Sequence, residues 1–159
     1  MKITAQEEYG LRILIRIAAC KDIDGLSIPQ ITALEGLSTP YVAKLTRILR
    51  IGGFINSTPG HKGGYVLARP AQNIGIKSVL KALGGVLFSD EFCGNHAGGL
   101  QLCNNSVDCS ARSLWSIIQV TVDQLLDQIT LGDLVNSEED SSKLFSQLLA
   151  QKRIAVVTE

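Results

Sequence analysis

Three of the chain's four cysteines, Cys93, Cys103 and Cys109, lie in one glycine- and asparagine-rich stretch, FCGNHAGGLQLCNNSVDCSARSLW, spaced Cys-x9-Cys-x5-Cys. Thiols clustered in this way suit four chemistries. A zinc site wants a fourth nitrogen or sulfur ligand and usually a CxxC-like pair, which this stretch lacks. A disulfide would leave one cysteine over. A thiol sensor needs only one or two of them. An iron–sulfur cluster is held by thiolates, with a non-cysteine ligand possible at one iron; glycine and asparagine supply the tight turns and close backbone approach it needs. Spacing alone leaves all four open. Cys20 stands apart in an apolar helical pattern and reads as a buried free thiol.

A second group of residues suits a polyanion. Thr39, Pro40, Tyr41, Ala43 and Lys44 open a helical segment, the position from which a recognition helix meets base edges. Tyr41 and Lys44 are its long polar members. Arg47 and Arg50 follow at helical spacing and suit phosphates, which position a protein without specifying sequence. His61 and Lys62 sit between glycines in a turn, where the backbone can approach a minor groove or the sugar-phosphate chain. The two histidines, His61 and His96, have no paired nucleophile and no phosphate-cradling motif beside them, so the sequence does not point to an enzyme.

These groups need elements to position them. Thr4-Ala5-Gln6-Glu7 is a capping box that starts a helix running to about Lys21, with Leu11, Leu14, Ile15 and Ala18 at helical spacing. Ser27-Ile28-Pro29-Gln30 starts a second, with Ile31 and Leu34 inward and Gly36 as its stop. Ser38-Thr39-Pro40 starts a third, with Val42, Leu45, Ile48 and Leu49 inward. Two short helices joined by Glu35-Gly36-Leu37-Ser38 form a helix-turn-helix pattern. Phe54–Thr58, the turn cluster Pro59–Gly64 and Tyr65–Arg69 then read as a hairpin, and a hairpin directly after a helix-turn-helix is a wing. A short helix near Ile76–Leu83 ends at Gly84-Gly85. Trp115, Ile118, Val122, Leu125 and Ile129 step by three and four, which reads either as the seam of a dimerising coiled coil over about two heptads or as the core-facing side of an amphipathic helix. A weak helix around Leu144, Phe145, Leu148 and Leu149, bounded by polar Ser137–Ser142, closes the chain.

The expected fold is mainly α with a small β-hairpin wing: a winged helix-turn-helix plus a long dimerisation helix. The segments are 1–84 for DNA binding, 85–110 for the cysteine loop, 111–136 for dimerisation and 137–159 for the tail. Formal net charge is zero, yet residues 1–70 carry nine bases against five acids and the rest six against ten. That asymmetry fits a chain of which one end meets a polyanion. No apolar run reaches membrane-spanning length, and acidic residues stand where a secretory signal would have its apolar core. A cytoplasmic protein without a membrane partner is expected, and in that reducing compartment clustered thiols favour metal or redox work. One winged domain makes few phosphate contacts; a homodimer doubles them and imposes a palindrome on double-stranded DNA.

The segments KITAQEEYGLR, SIPQITALEGLSTPYVAKLTRILR and GHKGGYVLAR, the three-cysteine loop and LW…ITLGDLV resemble the IscR/NsrR-like family of iron–sulfur winged-helix regulators, over about residues 1–136. The resemblance implies a homodimeric transcription factor with a cluster near its dimerisation helix, liganded by Cys93, Cys103 and Cys109. IscR-like members place a histidine three residues after the last cysteine, where this chain has Arg112. NsrR-like members use an acid in the first helix of the other subunit, and the matching residue is Glu8, with Arg12 as its partner one turn on and His96 as the rival ligand. The first cysteine gap exceeds that of either relative, which leaves a two-iron or four-iron cluster open. Pro59 stands near the family's wing arginine, so His61 or Lys62 would take that contact. The implied function is operator binding controlled by the cluster, sensing redox state, iron–sulfur status or nitric oxide. The alternatives are a cluster-free repressor switched by oxidation of Cys103 and Cys109, and an iron–sulfur carrier or scaffold that binds no DNA.

Overall fold

The computed structural model describes residues 3–59, 63–85, 88 and 108–157, with backbone alone over 151–157. The elements run α1 (Ala5–Ala19), α2 (Ile28–Glu35), α3 (Thr39–Ile51), β1 (Ile55–Ser57), β2 (Tyr65–Leu67), a 3-10 turn (Ala71–Asn73), α4 (Ile76–Leu83), α5 (Ser110–Leu126), α6 (Leu131–Leu134) and α7 (Glu138–Val157). This is the expected mainly helical winged fold with one antiparallel hairpin.

Local chemistry accounts for the helix ends. The Glu7 carboxylate accepts from the Thr4 N–H at 2.8 Å and its hydroxyl at 2.7 Å, closing the capping box of α1. Ser27 and Gln30 repeat the device at α2. Gly36 stops α2 in the left-handed region at φ 65°, where a side chain would be strained. Helix α1 ends at Ala19, with Cys20 capping it half-buried rather than buried. The wing pairs Ile55 with Leu67, Asn56 with Val66 and Ser57 with Tyr65, and a bridge from Leu26 to Tyr65 ties it to the α1–α2 turn.

The core joins Ile13, Leu14 and Ile17 of α1, Ile31 of α2, and Val42, Leu45 and Leu49 of α3 to Phe54, Ile55, Ile74, Ile76, Val79 and Leu83. Gly10 lets α4 approach closely: a β-carbon there would lie 2.4 Å from the Leu83 side chain. The inward line of α1 therefore passes through Gly10, Ile13, Leu14 and Ile17, while Leu11, Ile15 and Ala18 pack at its edge. Leu34, expected inward, is 52% exposed, because the short α2 turns only Ile31 and Glu35 into the protein.

Ile129 does not extend the seam of the long helix. Helix α5 ends at Leu126, and the chain then re-enters the winged domain, where Ile76 N–H donates to Ile129 O and Leu131 N–H to Ile74 O. Ile129 and Leu131 are buried in the core. Helix α7 begins at Glu138, inside the stretch expected to bound it. The Ser137 hydroxyl accepts the Asp140 N–H, and the acids of the first turn suit a helix N-terminus. Phe145 and Leu148 pack on the core, and Ser141 donates to Asp133 O at 2.9 Å. No helix among the described residues is long and apolar enough to cross a membrane.

Candidate nucleic-acid interface and metal centre

Helix α3 is held by one face and free on the other. Val42, Leu45, Thr46 and Leu49 are buried, and Thr46 spends its hydroxyl on Val42 O at 3.0 Å. Thr39, Pro40, Lys44, Arg47 and Arg50 are exposed on the turns between. Among the described residues no acid pairs with Lys44, Arg47 or Arg50. These cations are therefore uncommitted, as groups that exchange water for phosphate must be. Tyr41 differs. It is half-buried, its ring meeting Tyr9 of α1 edge to face at 6.2 Å and 84°.

Thr58 adds to the Leu26–Tyr65 bridge in pinning the base of the wing. The Thr58 hydroxyl donates to Asp24 O at 2.9 Å and accepts the Gly64 N–H at 2.7 Å, and Thr58 N–H donates to Gly64 O. The expected tip residues, His61 and Lys62, lie outside the described residues.

Not every base of the front half is available to a partner. Arg69 donates to Asn73 O and Gly53 O and lies 5.7 Å from the Phe54 ring centre, so it fastens the end of the wing. Arg12 and Arg16 converge on Glu35, at 2.7 Å to each carboxylate oxygen. In the sequence Glu35 is legible only as part of the inter-helix turn and as one of the front half's five acids. The available signal was an acid at a helix C-terminus, where the helix dipole disfavours it unless bases stand close by.

Of the expected cluster ligands, the structure describes Glu8 and Cys109; Cys93, Cys103 and the rival His96 lie outside the described residues. Glu8 is exposed on the first turn of α1, while its neighbour Glu7 is spent on the cap. It lines a cleft of about 610 Å³ between α1, α4 and α5, with Leu11, Leu80, Gln119 and Val122 among its walls. Cys109 caps α5, its sulfur accepting the Arg112 N–H at 3.4 Å. No group of three or more potential metal-ligating His, Cys, Asp or Glu side chains comes together among the described residues. Arg12, expected beside Glu8, is instead engaged with Glu35 and stacked 5.6 Å from the Tyr9 ring centre.

Helix α5 is tied to the domain at one end. Lys77 of α4 lies 2.9 Å from Asp127 and 3.5 Å from Asp123. The hydrogen bond to Asp127, with the charge of Asp123, holds the Lys77 ammonium above its ordinary value. Leu125 and Leu126 reach the core, whereas Leu114, Trp115, Ile117 and Val120 are exposed.

A family model described as Rrf2, iron-dependent transcriptional regulator, matches residues 3–137. Protein rrf2 of Nitratidesulfovibrio vulgaris is 34% identical over 135 residues, covering 85% of this chain and 87% of that protein. The solved structure of T. potens IscR superposes with a TM-score of 0.65 at 26% identity, over 85% of this chain and 86% of that one. The oxidized form of Staphylococcus aureus CymR superposes with a TM-score of 0.65 at 30% identity, over 86% of this chain and 98% of that one.

Proposed function

Because the chain belongs to the Rrf2 family of transcriptional regulators, we propose that it works in the cytoplasm as a homodimer on a palindromic DNA operator, under the control of an iron–sulfur cluster. The observation that carries the DNA reading is the row of exposed cations, Lys44, Arg47 and Arg50, that pair with no acid among the described residues, on a helix whose other face is locked into the core. Thr39, Pro40, Tyr41 and Lys44 would meet base edges, and Arg47 and Arg50 the phosphates. His61 and Lys62 would touch the backbone or minor groove. The apolar side of α5 joins the two copies.

Cys93, Cys103 and Cys109 would hold the cluster with Glu8 of the partner subunit. The donor set fits: a carboxylate without a partner among the described residues on α1, and a sulfur facing an N–H at the start of α5. Bound there, a cluster supplies a redox-active iron–sulfide group that oxidants, nitric oxide or iron shortage alter. Helix α1 carries Glu8 next to Tyr9, and Tyr9 touches Tyr41 of α3. A pull on Glu8 is thereby felt at the recognition helix, and operator affinity follows as a population shift. A carboxylate grips iron less firmly than a thiolate, which suits a labile sensor.

The second reading, a cluster-free thiol switch, is favoured by the likeness to CymR in its oxidized form and by Cys109 being a free thiol that is only half-buried. Gel shifts on anaerobically purified protein, alongside iron and sulfide analysis, separate the two. The cluster reading expects iron, sulfide and cluster-dependent binding. The thiol reading expects oxidant-dependent binding with no iron. Absence of any salt-dependent duplex binding would refute both and leave the carrier alternative.

A further inference from the structure

Glu35 is the last residue of α2, directly before the Gly36 turn that leads into the recognition helix. Its side chain is 1% exposed, and it is the one buried charged residue among the described residues. It sits at the negative end of its helix, so its own helix does not favour the charge. What holds it comes from α1. Arg16 Nε donates to one carboxylate oxygen at 2.7 Å. Arg12 Nη2 lies 2.7 Å from the other, off the line of a hydrogen bond, so charge rather than a directed bond secures that oxygen. The two arginines are four residues apart and share one face of α1. The same face carries Tyr9, under the Arg12 guanidinium, and Tyr9 meets Tyr41 in the first turn of α3. Helix α1 thus grips the helix-turn-helix twice, at the end of α2 and at the start of α3.

We infer that Glu35 is a positioning residue for DNA recognition: clamped by Arg12 and Arg16, it fixes the angle at which α3 presents Lys44 and Arg47, without touching DNA itself. A buried carboxylate held at both oxygens by two half-exposed arginines resists displacement, since apolar packing alone permits sliding that a two-point ion pair opposes. Removing its charge leaves every base of the DNA face in place and frees the turn to shift. The inference rests on the DNA-binding reading above.

The test uses the full chain and two duplexes, one selected by the wild-type protein from a random pool and one scrambled from it. Glu35→Gln keeps shape and removes charge. Its affinity for the selected duplex should fall about tenfold, the cost of one misplaced base contact. Its affinity for the scrambled duplex should stay within about twofold, with an unchanged salt slope, since no phosphate-facing cation is lost. General loosening of the fold would lower both affinities together and leave their ratio alone. An unchanged ratio in a folded variant therefore overturns the inference. Should circular dichroism show Glu35→Gln unfolded at the assay temperature, Arg16→Gln, which leaves Arg12 on the carboxylate, is held to the same ratio. A wild-type chain that selects no duplex would sink the DNA-binding reading itself, and the inference with it.

Discussion

Ile13, Leu14, Val42, Leu45 and Leu49 of the winged domain are fully shielded from solvent, whereas no residue of the long α5 is buried and Leu114, Trp115, Ile117 and Val120 stand half or more exposed. The first region closes its core within one chain, drawing on Ile129 and Leu131 from beyond α5 to do so. The second displays apolar surface that the described residues leave exposed. Grouped apolar exposure of this kind marks an interaction surface. The contrast separates what one copy does alone, holding a recognition helix, from what the proposed dimer would add, the pairing of two.

The sharpest way to break that comparison is to make the same truncation in both regions. Leu45→Ala should cost about 2–5 kcal/mol of stability, the range for a buried leucine, read by denaturant unfolding. Leu114→Ala should cost no more than about 0.5 kcal/mol at protein concentrations low enough to keep the chain monomeric. Equal losses would show that α5 belongs to the same core. Ile117→Asp should next convert a dimer to a monomer by light scattering and lower operator affinity about a hundredfold or more through lost avidity, with the melting of the winged domain unchanged. A variant that stays dimeric would move the interface off α5. Smaller effects divide the recognition helix itself. Lys44→Ala should reduce discrimination between operator and scrambled duplex by about tenfold, while Arg47→Ala weakens both alike and lowers the salt slope by about one. If the two variants behave identically, the division between base-reading and phosphate-binding residues fails.

Much of the winged domain was legible because its signals are local. The Thr4–Glu7 and Ser27–Gln30 boxes, the Gly36 stop and the two strands of the wing each rest on signals within a few residues, and all appear where the sequence indicates. Features that depend on which elements cross were not legible. Leu34 shares the spacing of an inward residue but meets no neighbour that covers it. Ile129 continues the seam in register, yet the helix ends before it and the residue serves another core. Glu35, Arg12, Arg16 and Arg69 counted toward a charge balance, while their work is internal. At the candidate metal centre the sequence supplies donor types, of which Glu8 and Cys109 are described on separate helices; spacing says nothing of how distant donors meet.

The central claim, that thiolates of the cysteine loop hold a cluster controlling operator affinity, is tested most directly on protein purified without air. Iron, sulfide and the visible spectrum are measured first, and duplex affinity is then measured before and after the iron is chelated. The account predicts a brown protein with iron and sulfide in matched amounts, colour lost in Cys103→Ala, and an operator affinity that changes when the iron is withdrawn. A colourless or zinc-loaded protein, or an affinity indifferent to iron removal, would contradict it.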